Sequence, residues 1–113
     1  MATADTIFIE DNKLDWEETA PGVRRKIMAY DQNVMLVKVA FQKDAVGSLH
    51  SHPHVQVSYV ESGNFEVEIG GAKQVLKTGD VFYVPSGAVH GVVCMEAGVL
   101  IDVFNPCRED FIK

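Results

Sequence analysis

Turn-forming residues recur along this chain at short, even intervals, and this spacing limits the fold more than any other feature. Groups of Pro, Gly, Asn and Asp interrupt the apolar runs before any run shows the period of a helix. Short β-rich runs bounded in this way are typical of an all-β sandwich or barrel. The predicted turns are 21–22, 31–33, 44–48, 62–64, 70–71, 78–80, 85–87 and 97–98, and the predicted strands are 34–41, 55–60, 65–69, 81–84, 89–95 and 99–104.

One predicted hairpin is unusually clear. Residues 65–69 alternate between apolar side chains and glutamates, so the apolar side chains share one face and the glutamates face water. Gly70 and Gly71 follow, and glycine readily supplies the positive φ angles of a tight turn. The chain is therefore predicted to return in a strand over 72–76. Residues 108–113 are predicted to form a single terminal turn.

The length of 113 residues suits one compact domain, which we expect to span 1–113. Residues 1–14 are the least patterned and are interpreted as an arm that packs on a neighbouring subunit. The chain has only two cysteines, Cys94 and Cys107, at a spacing that fits no zinc pair. They are interpreted as reduced, buried or half-buried thiols.

The charge balance argues against several partners. Ten Lys and Arg against sixteen Asp and Glu give a net charge of −6, which offers no long-range attraction to nucleic acid or to an anionic bilayer. The N-terminal residues carry acids where a secretion signal carries bases, and no apolar stretch reaches the roughly 20 residues of a membrane span. The sequence therefore predicts a cytoplasmic protein without nucleic-acid or membrane partners.

Three of the four histidines lie within five residues, at His50, His52 and His54, and Gln56 follows. In an extended segment these alternate side chains project to the same side. Clustered neutral imidazoles suit a divalent transition metal such as nickel, zinc, iron, manganese or copper. A polar strand facing solvent would show the same pattern, so the run alone leaves both interpretations open.

A carboxylate interrupts the apolar strand 99–104 at Asp102. A buried charge is costly without a partner, and two interpretations are open: an ion pair with Arg108 or Lys38, or a catalytic base whose pKa is tuned by burial. Alternation places Leu100, Asp102 and Phe104 on one face.

Two groups of cations could bind an acidic substrate. Arg24, Arg25 and Lys26 are consecutive, and we expect at least two of them to form a solvated face. Arg108 follows the strand that carries Asp102 and is the better candidate for binding a substrate carboxylate. A guanidinium can donate two parallel hydrogen bonds to the two oxygens of a carboxylate.

Two motifs resemble the signatures of the cupin superfamily. The second signature is matched at Gly79, Pro85, Gly87 and His90, with Cys94 in the place of its closing Asn; without it, a lone strand histidine such as His90 is more often a satisfied core residue. The first signature is matched at His50, His52, Gly63 and, with Gln in the place of Glu, Gln56, although its leading Gly is displaced to Gly47.

The cupin resemblance implies a double-stranded β-helix, or jelly-roll barrel, that holds one divalent metal ion. The implied ligands are His50, His52, Gln56 and His90, and His54 is left for a contact with one of these ligands or with substrate. Because all four ligands are neutral, the ion keeps its full charge and should hold an anionic oxygen well.

Among single-domain cupins the chain resembles the pectin-degradation proteins that linearise unsaturated uronates. The resemblance rests on the opening 16–27 with its stretch 21–25, on 50–56, on 59–63, and on the ending 102–110. It implies metal-dependent conversion of monomeric 4,5-unsaturated uronate, from pectin or alginate, to linear 5-keto-4-deoxyuronate. Asp102 is the candidate base; Arg108, Phe104, His54 and Arg25 are candidate substrate contacts, and a homodimer is expected.

Two other functions are kept as alternatives. One is a metal-dependent dioxygenase on the same fold, since a fold does not determine a reaction. The other is a non-enzymatic module that binds a sugar acid. Replacing Asp102 by Asn distinguishes the module from the enzyme. In a binding module the substitution should spare binding of the sugar acid, and in an enzyme it should abolish turnover.

Overall fold

The computed structural model describes residues 6–113, which form eight β-strands and two single-turn 3-10 helices. No helix in this range is long and apolar enough to span a membrane. The strands are β1 Glu17–Ala20, β2 Val23–Tyr30, β3 Met35–Phe41, β4 Val46–His50, β5 Val55–Ile69, β6 Ala72–Lys77, β7 Val81–Val84 and β8 His90–Asn105, and the 3-10 helices are Asp11–Lys13 and Glu109–Phe111.

The two longest strands, β5 and β8, organise the fold. They pair antiparallel over most of their length. The first half of β5 also pairs with β7 and its second half with β6, while β8 pairs first with β4 and then with β3. Each long strand therefore belongs to two sheets, β1-β2-β3-β8-β5-β7 and β4-β8-β5-β6. This all-antiparallel arrangement confirms the predicted all-β jelly roll.

The turns predicted at 62–64 and 97–98 are wrong, because β5 and β8 continue through both places. The β5–β8 register shifts between Val60 and Phe65, which bends the strands where they pass between sheets. Gly63 has a φ of +85°, and a Cβ added to it would lie 2.5 Å from the carbonyl oxygen of Glu96. The glycine in the sequence marks a close crossing of two strands rather than a chain reversal.

Gly63→Ala is expected to lower the free energy of unfolding by about 3 kcal/mol or more, since it adds a backbone clash to an unfavourable φ. Gly71→Ala is the matched control, because Gly71 has a φ of +86° with open space around it. Urea unfolding should show a loss of about 1 kcal/mol for the control. Equal losses for the two variants would contradict the close crossing.

The hairpin at Gly70 and Gly71 is confirmed, with both φ angles positive and Ile69 paired with Ala72. The predicted terminal turn is confirmed by the 3-10 helix Glu109–Phe111. Strands β1 and β2 were not predicted, because consecutive charged residues in β2 hide its alternation. Strand β4 begins inside a predicted turn.

The expectation that at least two of Arg24, Arg25 and Lys26 form a solvated face is wrong, since only Arg24 is exposed. Arg24 is exposed and packs on Trp16, but Arg25 is half-buried and Lys26 is 5% exposed. Lys26 faces outward, and the N-terminal segment covers it: its Nζ donates to the Asp11 backbone oxygen at 3.0 Å.

The N-terminal segment is fastened to its own chain at Asp11, whose carboxylate accepts hydrogen bonds from Lys26 and Lys38. Ile7 and Phe8, earlier in the predicted arm, are exposed, and residues 1–5 lie outside the described range. The expected contact of this arm with a neighbouring subunit stays a prediction. Cys94 and Cys107 are buried and free, as predicted.

The barrel interior is apolar over much of its length, with Phe41, Phe65 and Phe82 in the larger cluster of buried side chains. Buried polar side chains interrupt it where β4, β5 and β8 meet. These include His52, Gln56, Ser58 and His90. Buried polar groups are retained when they are hydrogen-bonded or serve a site, so this end of the interior is the place to seek function.

Candidate metal centre and substrate cavity

Three histidines from two parts of the chain meet where β4 pairs with β8; His52 and His90 are buried, and His50 is exposed. His50 ends β4 and lies opposite His90 at the start of β8, while His52 lies in the connection after β4. The ring centroids are 4.3 Å apart for His50 and His90, and 4.8 Å apart for His52 and His90. One nitrogen from each ring lies within 4.8 Å of the others, so the three are positioned to bind a metal ion.

Backbone carbonyls fix the tautomer of every ring in this cluster. The Nδ1 of His50 lies 2.8 Å from the Ser48 oxygen, and the Nδ1 of His90 lies 2.9 Å from the Ala88 oxygen. The Nδ1 of His52 lies 3.0 Å from the oxygen of His54. A carbonyl only accepts, so each Nδ1 carries a hydrogen, and the neutral form of each ring then has its lone pair on Nε2, as in metal-binding histidines.

The environment also keeps two of these rings neutral. Burial lowers the pKa of His52 and of His90, and nearby positive charge, including that of Arg108, lowers both further. A neutral imidazole is the form that ligates a metal.

Two contacts test whether a cation fits here. The Nε2 of His90 is buried and has no hydrogen-bond partner within residues 6–113. The Nε2 of His52 lies 3.1 Å from Gln56 Oε1, and with its hydrogen on Nδ1 this pair consists of two acceptors. A cation bound between these lone pairs gives each of them a partner, so the set of nitrogen and oxygen ligands fits a divalent transition metal.

A hydrogen-bond chain leads from this cluster to the buried carboxylate. Gln56 Nε2 donates to Ser58 Oγ at 2.9 Å, and Ser58 Oγ donates to Asp102 Oδ1 at 2.6 Å. The sequence analysis did not identify Ser58. Alternation from Gln56 along β5 would have placed it on the same inward face.

Asp102 faces the interior with Leu100 and Phe104, as alternation predicted. Burial raises the pKa of Asp102 to about 6, while the Ser58 hydrogen bond and the charge of Arg108 oppose this rise. The alternative of an ion pair with Lys38 or Arg108 is not what the structure shows. Lys38 binds Asp11, and the salt bridge of Arg108 is to Asp110.

A cavity of about 180 Å³ joins most of these groups. His50, Gln56 and His90 line it on the metal side, and Asp102 lines it beside them. Arg25, Phe104, Arg108 and Phe111 also line it. Candidate residues from distant parts of the sequence therefore share one chamber with apolar walls and few polar groups, as small-molecule sites do.

The C-terminal 3-10 turn organises the two arginines. Arg108 is 9% exposed, and its Nε and Nη2 donate to the Asp110 carboxylate at 3.0 and 2.8 Å. Its guanidinium carbon lies 4.2 Å from the Phe111 ring centre, and that of Arg25 lies 4.0 Å from the same ring. Arg25 also donates from Nε to Glu17. Phe111 and Asp110 were not identified from sequence.

His54 is the one candidate that the structure sets apart. The chain leaves the extended conformation between His50 and Val55, so alternation does not hold across Pro53. His54 does not line the cavity, and its Nδ1 is buried with no hydrogen-bond partner within the described residues. Its ring meets the ring of His52 edge to face at 5.5 Å, so it packs behind the metal cluster.

Comparison with known proteins agrees with this geometry. Residues 37–104 match the family described as the cupin domain. The barrel and its inward histidine cluster thus define the protein as a cupin with a candidate metal centre.

Three relatives narrow this class. The pectin degradation protein KdgF of Dickeya dadantii (strain 3937) is 46% identical over 107 residues, which cover 93% of this chain and 97% of that protein. The structure of KdgF from Halomonas sp. is 41% identical with a TM-score of 0.90, covering 94% of this chain and 98% of the other. An RmlC-like cupin from Shewanella frigidimarina is 41% identical with a TM-score of 0.92, covering 95% and 96%. The chain belongs to the family of the pectin degradation protein KdgF.

Proposed function

We propose that this protein converts monomeric 4,5-unsaturated uronate into linear 5-keto-4-deoxyuronate in a metal-dependent reaction. One observation carries the proposal: a histidine cluster, a carboxyl group of raised pKa and two guanidinium groups surround one cavity. The name of the relatives supports a role in pectin breakdown.

The proposed ligands of the metal are the Nε2 atoms of His50, His52 and His90 together with Gln56 Oε1. When bound, a divalent ion supplies a Lewis acid that attracts an anionic oxygen of the substrate. Because Gln56 is neutral where a carboxylate would carry charge, the donor set does not offset the charge of the ion.

The arginines are proposed to bind the uronate carboxylate. Arg108 directs Nε and Nη2 to Asp110, which leaves its Nη1 for substrate. Arg25 lines the same cavity with its guanidinium stacked on Phe111. Phe104 supplies an apolar surface for the sugar ring.

Asp102 is proposed to act as the base. Its carboxylate takes the proton of the anomeric hydroxyl, the bond between C1 and the ring oxygen breaks, and an aldehyde forms at C1. The electron pair stays on the former ring oxygen as the enolate of C4 and C5. Protonation at C4, by Asp102 or by water, gives the ketone at C5 and returns the site to its starting state. The reaction is an isomerisation and needs no oxidant or second substrate.

Arg108→Lys is expected to raise the KM about 10-fold or more, because an ammonium has no rigid plane of nitrogens that binds Asp110 at two points and still directs a third nitrogen to the substrate. Arg24→Lys is the control, since Arg24 is exposed, packs on Trp16 and lies outside the cavity lining. Initial rates over a range of substrate concentrations, with a melting curve for each variant, give the comparison. An unchanged KM in a folded Arg108→Lys protein would contradict the assignment.

The proposed function is tested by the ultraviolet absorbance of the 4,5-double bond of unsaturated galacturonate. Metal-loaded protein should speed the loss of absorbance above the spontaneous rate, and chelation should remove the gain. No gain with verified metal loading would overturn the proposal. Oxygen uptake would then indicate the dioxygenase alternative, and tight binding without turnover the sugar-acid module.

A further inference from the structure

Ser58 joins the metal cluster to Asp102 by hydrogen bonds, and no other described residue does so. Its side chain is fully buried on β5, two positions after Gln56 and opposite Asp102 of β8 in the strand register. It does not line the cavity, so it has no direct route to the substrate. A fully buried hydroxyl with two polar partners inside an apolar barrel constrains both of them.

The direction of each hydrogen bond follows from the chemistry of the groups. An ionised carboxylate only accepts, so Ser58 gives its single hydrogen to Asp102. Ser58 Oγ is then left as an acceptor, and Gln56 must present its NH2 group to it. The other end of the amide, Oε1, is thereby turned toward His52 Nε2. The reversed amide would place NH2 hydrogens in the metal cluster, where a cation would repel them.

We propose that Ser58 is a positioning residue that turns the oxygen of Gln56 toward the metal site and, through the same hydroxyl, holds the carboxylate of Asp102 in place. This inference deepens the proposed function and rests on it for the role of Asp102. Its claim about Gln56 concerns metal binding and stands apart from any substrate.

Ser58→Ala removes one oxygen atom, so Gln56 loses the acceptor that orients it. We expect the affinity for Co2+ to fall about 10-fold and the visible absorption spectrum of the Co2+ protein to change, as when an outer partner of a metal ligand is lost. With substrate, kcat should fall about 10-fold to 100-fold with little change in KM. Ser58→Thr retains the hydroxyl and should recover most of both losses.

Ser62→Ala is the matched control, because Ser62 lies on the same strand and its hydroxyl accepts a hydrogen bond from the Val99 amide, away from the cavity. It should bind Co2+ as the unaltered protein does. A double-mutant cycle adds the sharpest test: in a Gln56→Ala background, Ser58→Ala should cost no further Co2+ affinity.

Wild-type Co2+ affinity and spectrum in a folded Ser58→Ala protein would overturn the inference. So would a loss of Co2+ affinity on adding Ser58→Ala to Gln56→Ala that equals the loss in the otherwise unaltered protein. The Co2+ titration uses no substrate. Failure of the proposed function would therefore appear as an inactive unaltered protein, whereas failure of this inference would appear as unaltered metal binding in Ser58→Ala.

Discussion

Asp102→Asn is expected to lower kcat for ring opening about 10²-fold to 10⁴-fold, the range that a positioned general base contributes. Asn matches the shape of Asp and can still accept the hydrogen bond of Ser58, but it takes no proton. Metal affinity and KM should change little, because Asp102 is not in the histidine cluster. Initial-rate kinetics and a Co2+ titration on one preparation check both statements.

The same substitution should stabilise the metal-free fold at high pH. Burial raises the pKa of Asp102 from 3.8 to about 6, so the ionised form costs folding free energy, up to about 3 kcal/mol. This cost is present above pH 6 and disappears below pH 4, where the carboxyl group is protonated in both states. Asp102→Asn should therefore gain stability at pH 8 and lose the gain as pH falls from about 6 to about 4.

The stability of both variants is measured by urea unfolding in the presence of chelator. Asp11→Asn is the control, because its change in stability at neutral pH should have the opposite sign. Lys38 and Lys26 lower the pKa of Asp11 by hydrogen bonding, so its charge stabilises the fold above the ordinary pKa and the effect fades in acid. Asp11→Asn should thus lose stability at neutral pH, where Asp102→Asn gains it. Full activity of Asp102→Asn would refute the assignment of Asp102 as the base. A change in stability that does not vary with pH would refute the claim that burial disfavours the ionised carboxylate of Asp102.

His90→Ala is expected to weaken metal binding at least 100-fold and to reduce turnover to the level of chelated protein. His90 supplies a buried Nε2 that has no hydrogen-bond partner among the described residues, so the substitution removes one of the three clustered nitrogens. The measurement is the rise in melting temperature on adding Ni2+ or Co2+, since a ligand that binds only the folded state stabilises it by about 2.7 kcal/mol at 100 times its Kd.

His54→Ala is the control for that experiment. His54 packs against His52 but is not among the clustered nitrogens, so its removal should leave most of the metal-induced stabilisation. If His90→Ala retained the full shift while His54→Ala lost it, the assignment of ligands within the histidine-rich segment would be wrong.

Local sequence patterns predicted most of the residues that line the site, but fewer of the residues that hold those side chains in position. Alternation in β8 placed Asp102 and Phe104 inside because an antiparallel strand keeps its period whatever its neighbours are. Alternation also brought His50, His52 and Gln56 together, but it failed for His54, because the chain leaves the extended conformation between His50 and Val55. The crossing at Gly63 was read as a turn, since a glycine signals a positive φ equally in either setting.

The partners of the arginines could not be foreseen for a different reason. Arg25 and Arg108 are far apart in sequence, and only the folded C-terminal turn brings both against Phe111. Ser58 was within reach of the sequence, because it follows Gln56 by one strand period. A serine carries no signal of function until its two partners are known.

The measurement that tests the central claim most directly is proton NMR of unsaturated galacturonate mixed with metal-loaded protein. We predict that the C4 alkene signal decays faster than in buffer, that signals of the open-chain keto acid replace it, and that neither chelated protein nor Asp102→Asn accelerates the change. Decay at the buffer rate with a fully loaded site, or conversion by Asp102→Asn at the unaltered rate, would contradict the account.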